Sequence, residues 1–151
     1  MKKYIYLCIF TLLAVIITGC QQEPDEQPEP YGTPPTVSNI KFFLYKGIEF
    51  DYTEDLEITE WREGAQILGT LRIDDPDMDI LTVGLSFKNI DNNKTKNGGS
   101  YSINQKENPY GMGFLIGDLA PGNWQFIVKA EDKGYNITVY EHDVVLKVNP
   151  R

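Results

Sequence analysis

Three observations predict an all-β domain over residues 37–151. Apolar and polar residues alternate with a period of two, as in half-buried strands; Ile67, Leu71 and Ile73 share one face in this way. Pro, Gly, Asn and Asp cluster where strands must reverse, at 74–77, 91–93, 97–99, 108–109, 120–123 and 133–134. Residues 57–64 could hold one helical turn, but no stretch of helical length carries a 3.6-residue period.

Five runs alternate clearly, and two weaker candidates cover 94–103 and 112–119. The side chains expected toward the core are Ile40, Phe42, Leu44, Ile67, Leu71, Ile73, Leu81, Val83, Leu85, Phe87, Trp124, Phe126, Val128, Ala130, Tyr140, His142, Val144, Leu146 and Val148. About seven strands joined by short turns favour a single antiparallel sandwich. Both cysteines, Cys8 and Cys20, precede this region, so its stability must come from an apolar core.

The first 20 residues resemble the signal peptide and lipobox of bacterial lipoproteins. Lys2 and Lys3 precede an apolar run over 4–17, which is shorter than the ~20 residues of a membrane span. Ile17-Thr18-Gly19-Cys20 follows directly. The resemblance implies cleavage after residue 19, a diacylglyceryl group on the Cys20 thiol, acylation of the new amino terminus by a chain such as palmitate, and membrane attachment through these lipids.

Residues 20–36 form a predicted tether between this anchor and the domain. Positions 21–36 contain five prolines, four acids and no basic residue, a composition that cannot bury apolar surface and favours a disordered, extended chain. The tract is similar to the surface-export signal of some Gram-negative lipoproteins, with Glu23, Asp25 and Glu26 carrying it. We therefore expect anchoring in the outer membrane with the domain at the cell surface; a periplasm-facing domain is the alternative.

The charge of the chain excludes one class of partner. The formal net charge is −8, and loss of Lys2 and Lys3 with the leader leaves 12 basic and 22 acidic residues, or −10. Such a charge repels nucleic acid, so no nucleic-acid function is expected.

Within the domain, three motifs resemble the bacterial immunoglobulin-like and fibronectin-III-like families. Residues 75–82, DPDMDILT, are similar to the turn between strands B and C, and residues 119–126, LAPGNWQF, to the start of strand F. Residues 130–134, AEDKG, match the end of that strand. The resemblance implies an immunoglobulin-like sandwich. Met78 replaces a glycine of the pattern. Trp124 replaces a corner tyrosine, which removes the hydroxyl that would bond to upstream backbone, and the hydrogen bond of the indole is expected to go elsewhere.

The best candidate site is a group of carboxylates at one end of this fold. Asp75, Asp77 and Asp79 lie in the predicted B–C loop, and Asp132 follows strand F. These loops lie at the same end of an immunoglobulin-like sandwich, and Ca²⁺ takes six to eight oxygen ligands. A calcium site is therefore one interpretation, and ordinary solvated turns are the other.

The remaining residues give no sign of catalysis. His142, the single histidine, lies in a strand among apolar neighbours, and no nucleophile motif or phosphate-binding loop is present. We predict that the chain is not an enzyme. The acidic residues between positions 49 and 63 indicate either a solvated loop or a docking face for a basic partner. Loop aromatics could stack on sugars; these are Trp61, Tyr101, Tyr110 and Tyr135.

Three functions are consistent with the sequence. The first is a non-catalytic binding, adhesion or spacer domain on an envelope lipoprotein, contacting another envelope protein. The second is a carbohydrate-binding accessory lipoprotein of a glycan-uptake system, for which exposed rings are expected. The third is a small hydrolase, which requires a deep pocket with two facing carboxylates.

Overall fold

The computed structural model describes residues 28–45, 47 and 56–151. The predicted signal peptide, Cys20 and tether residues 21–27 lie outside these residues, as do Glu49, Asp51, Glu54 and Asp55 of the acidic stretch. In the described ranges, no helix has the length and hydropathy needed to cross a bilayer.

Eight strands form two sheets, which confirms the all-β prediction. They are β1 (Thr36–Leu44), β2 (Glu60–Arg62), β3 (Ile67–Asp74), β4 (Ile80–Asn89), β5 (Thr95–Ser102), β6 (Tyr110–Ile116), β7 (Gly122–Asp132) and β8 (Ile137–Asn149). One sheet has the order β1-β3-β6, and the other has the order β2-β8-β7-β4-β5. Every pair is antiparallel except β2 with β8, which is parallel.

The extra strand lies in the 57–64 segment, which the sequence left open to a single helical turn. There β2 pairs with the carboxyl end of β8, and Trp61 is 8% exposed within the core. The segment forms a strand because Trp61 alternates with two exposed neighbours, Glu60 and Arg62, as an edge strand requires. The predicted seven strands thus become eight in the described chain.

Four phenylalanines join the two sheets at the centre of the core. Phe42 on β1 and Phe114 on β6 face Phe87 on β4 and Phe126 on β7. The Phe114 and Phe126 rings are stacked, with centroids 5.2 Å apart, and Phe42 meets Phe126 edge-on at 5.5 Å. Such pairs contribute about 0.5–1.5 kcal/mol each beyond the burial of their area.

Gly69 on β3 makes room for this cluster. It is the register partner of both Phe42 and Phe114. A Cβ on Gly69 would lie 2.2 Å from Cζ of Phe114, so the ring occupies the volume that any other residue would fill. The glycine therefore allows Phe114 to lie against β3 and reach the opposite sheet.

Three residues that were predicted to point inward are exposed, two of them beside irregular strand pairing. Leu44, Leu81 and Val144 are 44%, 42% and 41% exposed. A register shift after Ile80 places that residue, rather than Leu81, in the core, and the pairing of β8 with β7 also shifts beside Val144. Each bulge reverses the period-two alternation locally, which a uniform pattern does not anticipate. At the end of β1, Phe43 is buried instead of Leu44.

The strand directions define two ends of the domain. The loops that follow β3, β5 and β7 lie at one end together with the start of β1, and we call this the aspartate end because it holds residues 74–79 and 132–136. The loops that follow β4 and β6 lie at the other end with the carboxyl terminus, and we call this the distal end.

Substitution of Gly69 tests the packing at the centre of the sandwich. Gly69→Ala is expected to lower the free energy of unfolding by ~1–3 kcal/mol, because Phe114 must leave its position to admit the methyl group. Gly111→Ala on β6 is the control, since a Cβ there meets no atom within 4 Å. Urea denaturation measures both variants; equal stabilities for the two would contradict this packing.

Candidate functional site

Asp75 is fully buried at the aspartate end, where its carboxylate holds the β3–β4 loop. Its Oδ1 accepts the backbone N–H of Asp77 at 3.2 Å, and its Oδ2 accepts that of Asp79 at 2.8 Å. Met78, between them, has a φ of 57°, which lies in the left-handed region that favours glycine. The turn therefore keeps the backbone conformation of the glycine pattern, although this residue carries a side chain. The buried carboxylate therefore ends β3 by forming an Asx turn, in which the side chain accepts backbone N–H groups of the following residues.

Asp132 has the same role in the β7–β8 loop. It is 2% exposed, and its Oδ1 accepts the backbone N–H of Asn136 at 2.8 Å. Its Oδ2 accepts the Asn136 side-chain amide at 2.9 Å. Both buried aspartates are thus already hydrogen-bonded to this chain.

The aspartate end also binds the last residues of the tether. The N–H of Tyr31 donates to the carbonyl of Gly134 at 2.9 Å, and the Asn136 amide donates to the carbonyl of Tyr31 at 2.6 Å. The N–H of Thr33 donates to Oδ2 of Asp77, also at 2.6 Å. We call this set of bonds the tether clamp.

Two glycines allow the close approach on which the tether clamp depends. A Cβ on Gly134 would lie 2.2 Å from the carbonyl oxygen of Tyr31. Gly32 has a φ of 83°, and a Cβ there would lie 2.7 Å from Oδ2 of Asp77. Farther along, the Thr138 hydroxyl donates to the carbonyl of Pro35, which is buried. Residues 31–35 therefore pack as part of the domain, although the sequence placed them in the tether.

Asp79 is the member of the cluster whose charge is least compensated. Its Oδ1 is buried and has no hydrogen-bond partner among the described residues. Burial raises the pKa of this carboxyl, and the negative charges of Asp75, Asp132 and Asp77 raise it further, against a smaller lowering by Lys133. The structure thus brings all four predicted aspartates close enough to interact electrostatically.

The predicted calcium site stays a prediction. In the chain as described, no three His, Cys, Asp or Glu side chains are grouped so that they could hold a metal ion. Each oxygen of Asp75 and Asp132 already accepts a hydrogen bond from its own loop. The role the structure does give these two residues is to hold the loops.

The distal end is closed by a similar arrangement. Asn89 is buried, and its Oδ1 accepts the N–H groups of Asp91 and Asn92. The Asp91 carboxylate accepts the backbone and side-chain N–H groups of Asn123, which lowers its pKa. The Trp124 indole N–H donates to the carbonyl of Ala120 at 2.9 Å. The expectation that this residue bonds elsewhere is therefore wrong, because the indole reaches upstream backbone itself.

An open groove lies on the outer face of the three-stranded sheet, with a volume of about 620 Å³. Its lining residues are Asn39, Lys41, Thr70, Leu71, Arg72, Gly111, Met112 and Gly113. Sequence reasoning missed it because the lining comes from three strands distant in the chain. The available signal was the pair of glycines at alternate positions of β6, which places both on one face.

The single histidine and the four loop aromatics named from the sequence differ in how deeply they are buried. His142 is half-buried, with its ring centroid 5.8 Å from that of Phe42, and burial lowers its pKa. Trp61 lies in the core and Tyr110 packs against it, while Tyr101 and Tyr135 are 36% and 51% exposed.

Two glutamates of the acidic stretch have partners within the chain. Glu57 lies 3.6 Å from the Lys41 ammonium group, and Glu60 lies 3.2 Å from that of Lys147. Glu60 also accepts the side-chain amide of Asn149 at 2.6 Å, and this bond is the largest cause of its lowered pKa. These two acids therefore contact strands of their own domain.

Comparison with known proteins gives structural likeness alone. No protein-family model matches the chain, and no curated protein matches it. Among solved structures, the superoxide reductase (neelaredoxin) of Ignicoccus hospitalis is similar over 78% of this chain and 81% of its own, with 9% identity and a TM-score of 0.47. A variant of the same protein covers 77% and 80%, with 9% identity and a TM-score of 0.46.

These neighbours correct one prediction from the sequence. The prediction that the chain is not an enzyme is contradicted, because the structures similar to it are enzymes, and we withdraw it. The likeness is too distant to assign their activity to this chain.

Asp79→Asn tests the electrostatics of the aspartate end. Because the folded pKa is raised, the folded state holds the proton more tightly, and stability falls as pH rises from about 4 through the folded value. The variant should therefore be more stable than the wild type at pH 7 and equal to it below about pH 3. Urea denaturation with a chelator present, from pH 3 to 8, measures this difference.

Glu107→Gln is the control at the same end, because Glu107 is an exposed carboxylate in the β5–β6 loop. A loss of stability in Asp79→Asn at pH 7 would contradict the assignment. The same measurement in millimolar Ca²⁺ tests the metal prediction. A calcium site raises the melting temperature of the wild type but not of Asp79→Asn, and no shift in the wild type counts against it.

Proposed function

We propose that the protein is a lipid-anchored envelope protein whose β-sandwich serves as a binding, adhesion or spacer domain. The observation that carries this proposal is the tether clamp. Hydrogen bonds from Tyr31 and Thr33 fix the aspartate end as the place where the preceding chain enters the domain. Cys20, proposed as the lipidated residue, precedes it.

The tether clamp sets the length of free chain between Cys20 and the displayed domain. Tyr31 lies eleven residues after Cys20, so the connection spans at most about 40 Å. The tether joins the domain at the aspartate end, so this end is the one nearer to Cys20 along the chain. The groove on the three-stranded sheet lies along the side of the domain, where a ligand can approach.

We further propose that the sandwich is of the immunoglobulin type. In support, β4, β7 and β8 are neighbours as strands C, F and G are in that fold, and β1 and β3 pair as strands A and B do. The bond from Trp124 to backbone four residues upstream matches the position of the tyrosine corner.

The location follows from the anchor and the acidic tract after it. We propose the outer membrane of a Gram-negative bacterium, with the domain at the cell surface; a periplasm-facing domain is the alternative. The partner is a glycan or another envelope protein, and the glycan is favoured by the groove.

Mass spectrometry of the amino-terminal peptide tests the attachment. We expect the peptide to begin at Cys20 with a diacylglyceryl group and an added acyl chain, and Cys20→Ser to remove the modification because the thioether needs sulfur. Cys8→Ser is the control and should leave it unchanged. An unmodified Cys20 would overturn the proposal. Protease treatment of intact cells then separates surface exposure, in which the domain is cleaved, from a periplasm-facing domain, which is protected.

A further inference from the structure

The groove on the three-stranded sheet is cationic, although the chain as a whole is acidic. Its lining contains Lys41 and Arg72 and no acid, whereas the chain has a net charge of −8. The Arg72 guanidinium has no hydrogen-bond or ion-pair partner among the residues described. The partner of Lys41 is the exposed Glu57, at 3.6 Å, and such pairs contribute little and exchange readily.

Two glycines form the floor of the groove beside these cations. Gly111 is the register partner of Arg72, and Gly113 is that of Thr70. Both glycines are exposed, and a Cβ on Gly111 would meet no atom within 4 Å. The internal packing therefore does not require glycine at 111, in contrast to Gly69. Its effect is to leave bare backbone that a flat ligand can approach closely.

A bulge in β1 adds a polar group to the same surface. The pairing of β1 with β3 shifts between Ser38 and Lys41, and Asn39 has a φ of 49°. Asparagine tolerates this left-handed conformation better than most residues, and bulges commonly re-aim side chains. Asn39 thereby joins Thr70 in offering neutral hydrogen-bonding groups beside the two cations.

From this arrangement we infer that the groove binds a glycan carrying carboxylate groups. Arg72 and Lys41 match the carboxylates, Asn39 and Thr70 match sugar hydroxyls, and the glycine floor accepts a pyranose ring. This inference rests on the proposed function and deepens it by naming the class of ligand that the displayed domain takes.

A sugar fits this face better than an extended acidic peptide does. The lining comes largely from β3 and its two partners, so much of the backbone on the face is already paired within the sheet. A peptide lying on this face cannot extend the sheet by backbone pairing, whereas sugar hydroxyls can bond to the side chains of Asn39 and Thr70.

Binding of the purified full chain to an array of uronate-containing and sialylated oligosaccharides tests the inference. The matched probes are the same oligosaccharides with their carboxylates reduced to alcohols, and penta-glutamate represents an acidic peptide. We expect binding to one or more carboxylated glycans, with about tenfold or greater loss on carboxyl reduction and no binding of penta-glutamate.

Variants assign the binding to the groove. Arg72→Gln should weaken it about tenfold, because one charge-assisted contact is lost. Gly111→Val should abolish it by filling the floor, while the fold has room for the side chain. Arg62→Gln is the control, since it removes an exposed arginine of the other sheet and should change affinity less than twofold.

Three outcomes overturn the inference. The first is that no carboxylated glycan binds, and the second is that the carboxyl-reduced glycans or penta-glutamate bind as tightly as the carboxylated glycans. The third is that Gly111→Val keeps full affinity with an unchanged melting temperature. Lipid attachment is read separately from the mass of the amino-terminal peptide. A lipidated chain that binds no acidic glycan therefore refutes this ligand class alone, and an unlipidated chain refutes the anchor alone.

Discussion

The stacking of Phe114 on Phe126 across the interior is the contact on which the rest of the domain depends. It joins the three-stranded sheet to the five-stranded one, and it exists because Gly69 leaves the volume that Phe114 occupies. Since this ring points inward from β6, its neighbours Gly111 and Gly113 must point outward. The same alternation that fills the core therefore also forms the floor of the groove on the opposite face.

The two ends of the sandwich are held by polar side chains rather than by apolar packing. Asp75 and Asp132 at one end, and Asn89 at the other, are buried residues whose oxygens accept backbone N–H groups of their own loops. Burial of these groups is tolerated because each is hydrogen-bonded. At the aspartate end the result is a surface that binds residues 31–33, so the place where the preceding chain enters the domain is fixed by hydrogen bonds.

Much of this architecture could be predicted from the sequence, for local reasons. Regular alternation identified β3 and β7 with their core residues, and turn residues identified the loops that close both ends. Bulges at Ile80 and beside Val144 could not be predicted, since they depend on pairing between strands that are distant in the chain. The proximity of the four aspartates was implied by the resemblance to immunoglobulin-like sandwiches, in which the two loops that carry them lie at the same end. The groove and the tether clamp required the three-dimensional structure, because both join residues that the sequence separates.

The central claim is that the end of the tether is an integral part of the folded domain. Amide hydrogen exchange at Tyr31 and Thr33, followed by nuclear magnetic resonance in the full chain, tests it most directly. Because both N–H groups donate to the aspartate end, they should be protected to a degree comparable with Asp79, and Gly134→Ala should remove the protection of Tyr31 while leaving that of the core strands. Exchange of both amides at the rate of an unstructured peptide would contradict the account.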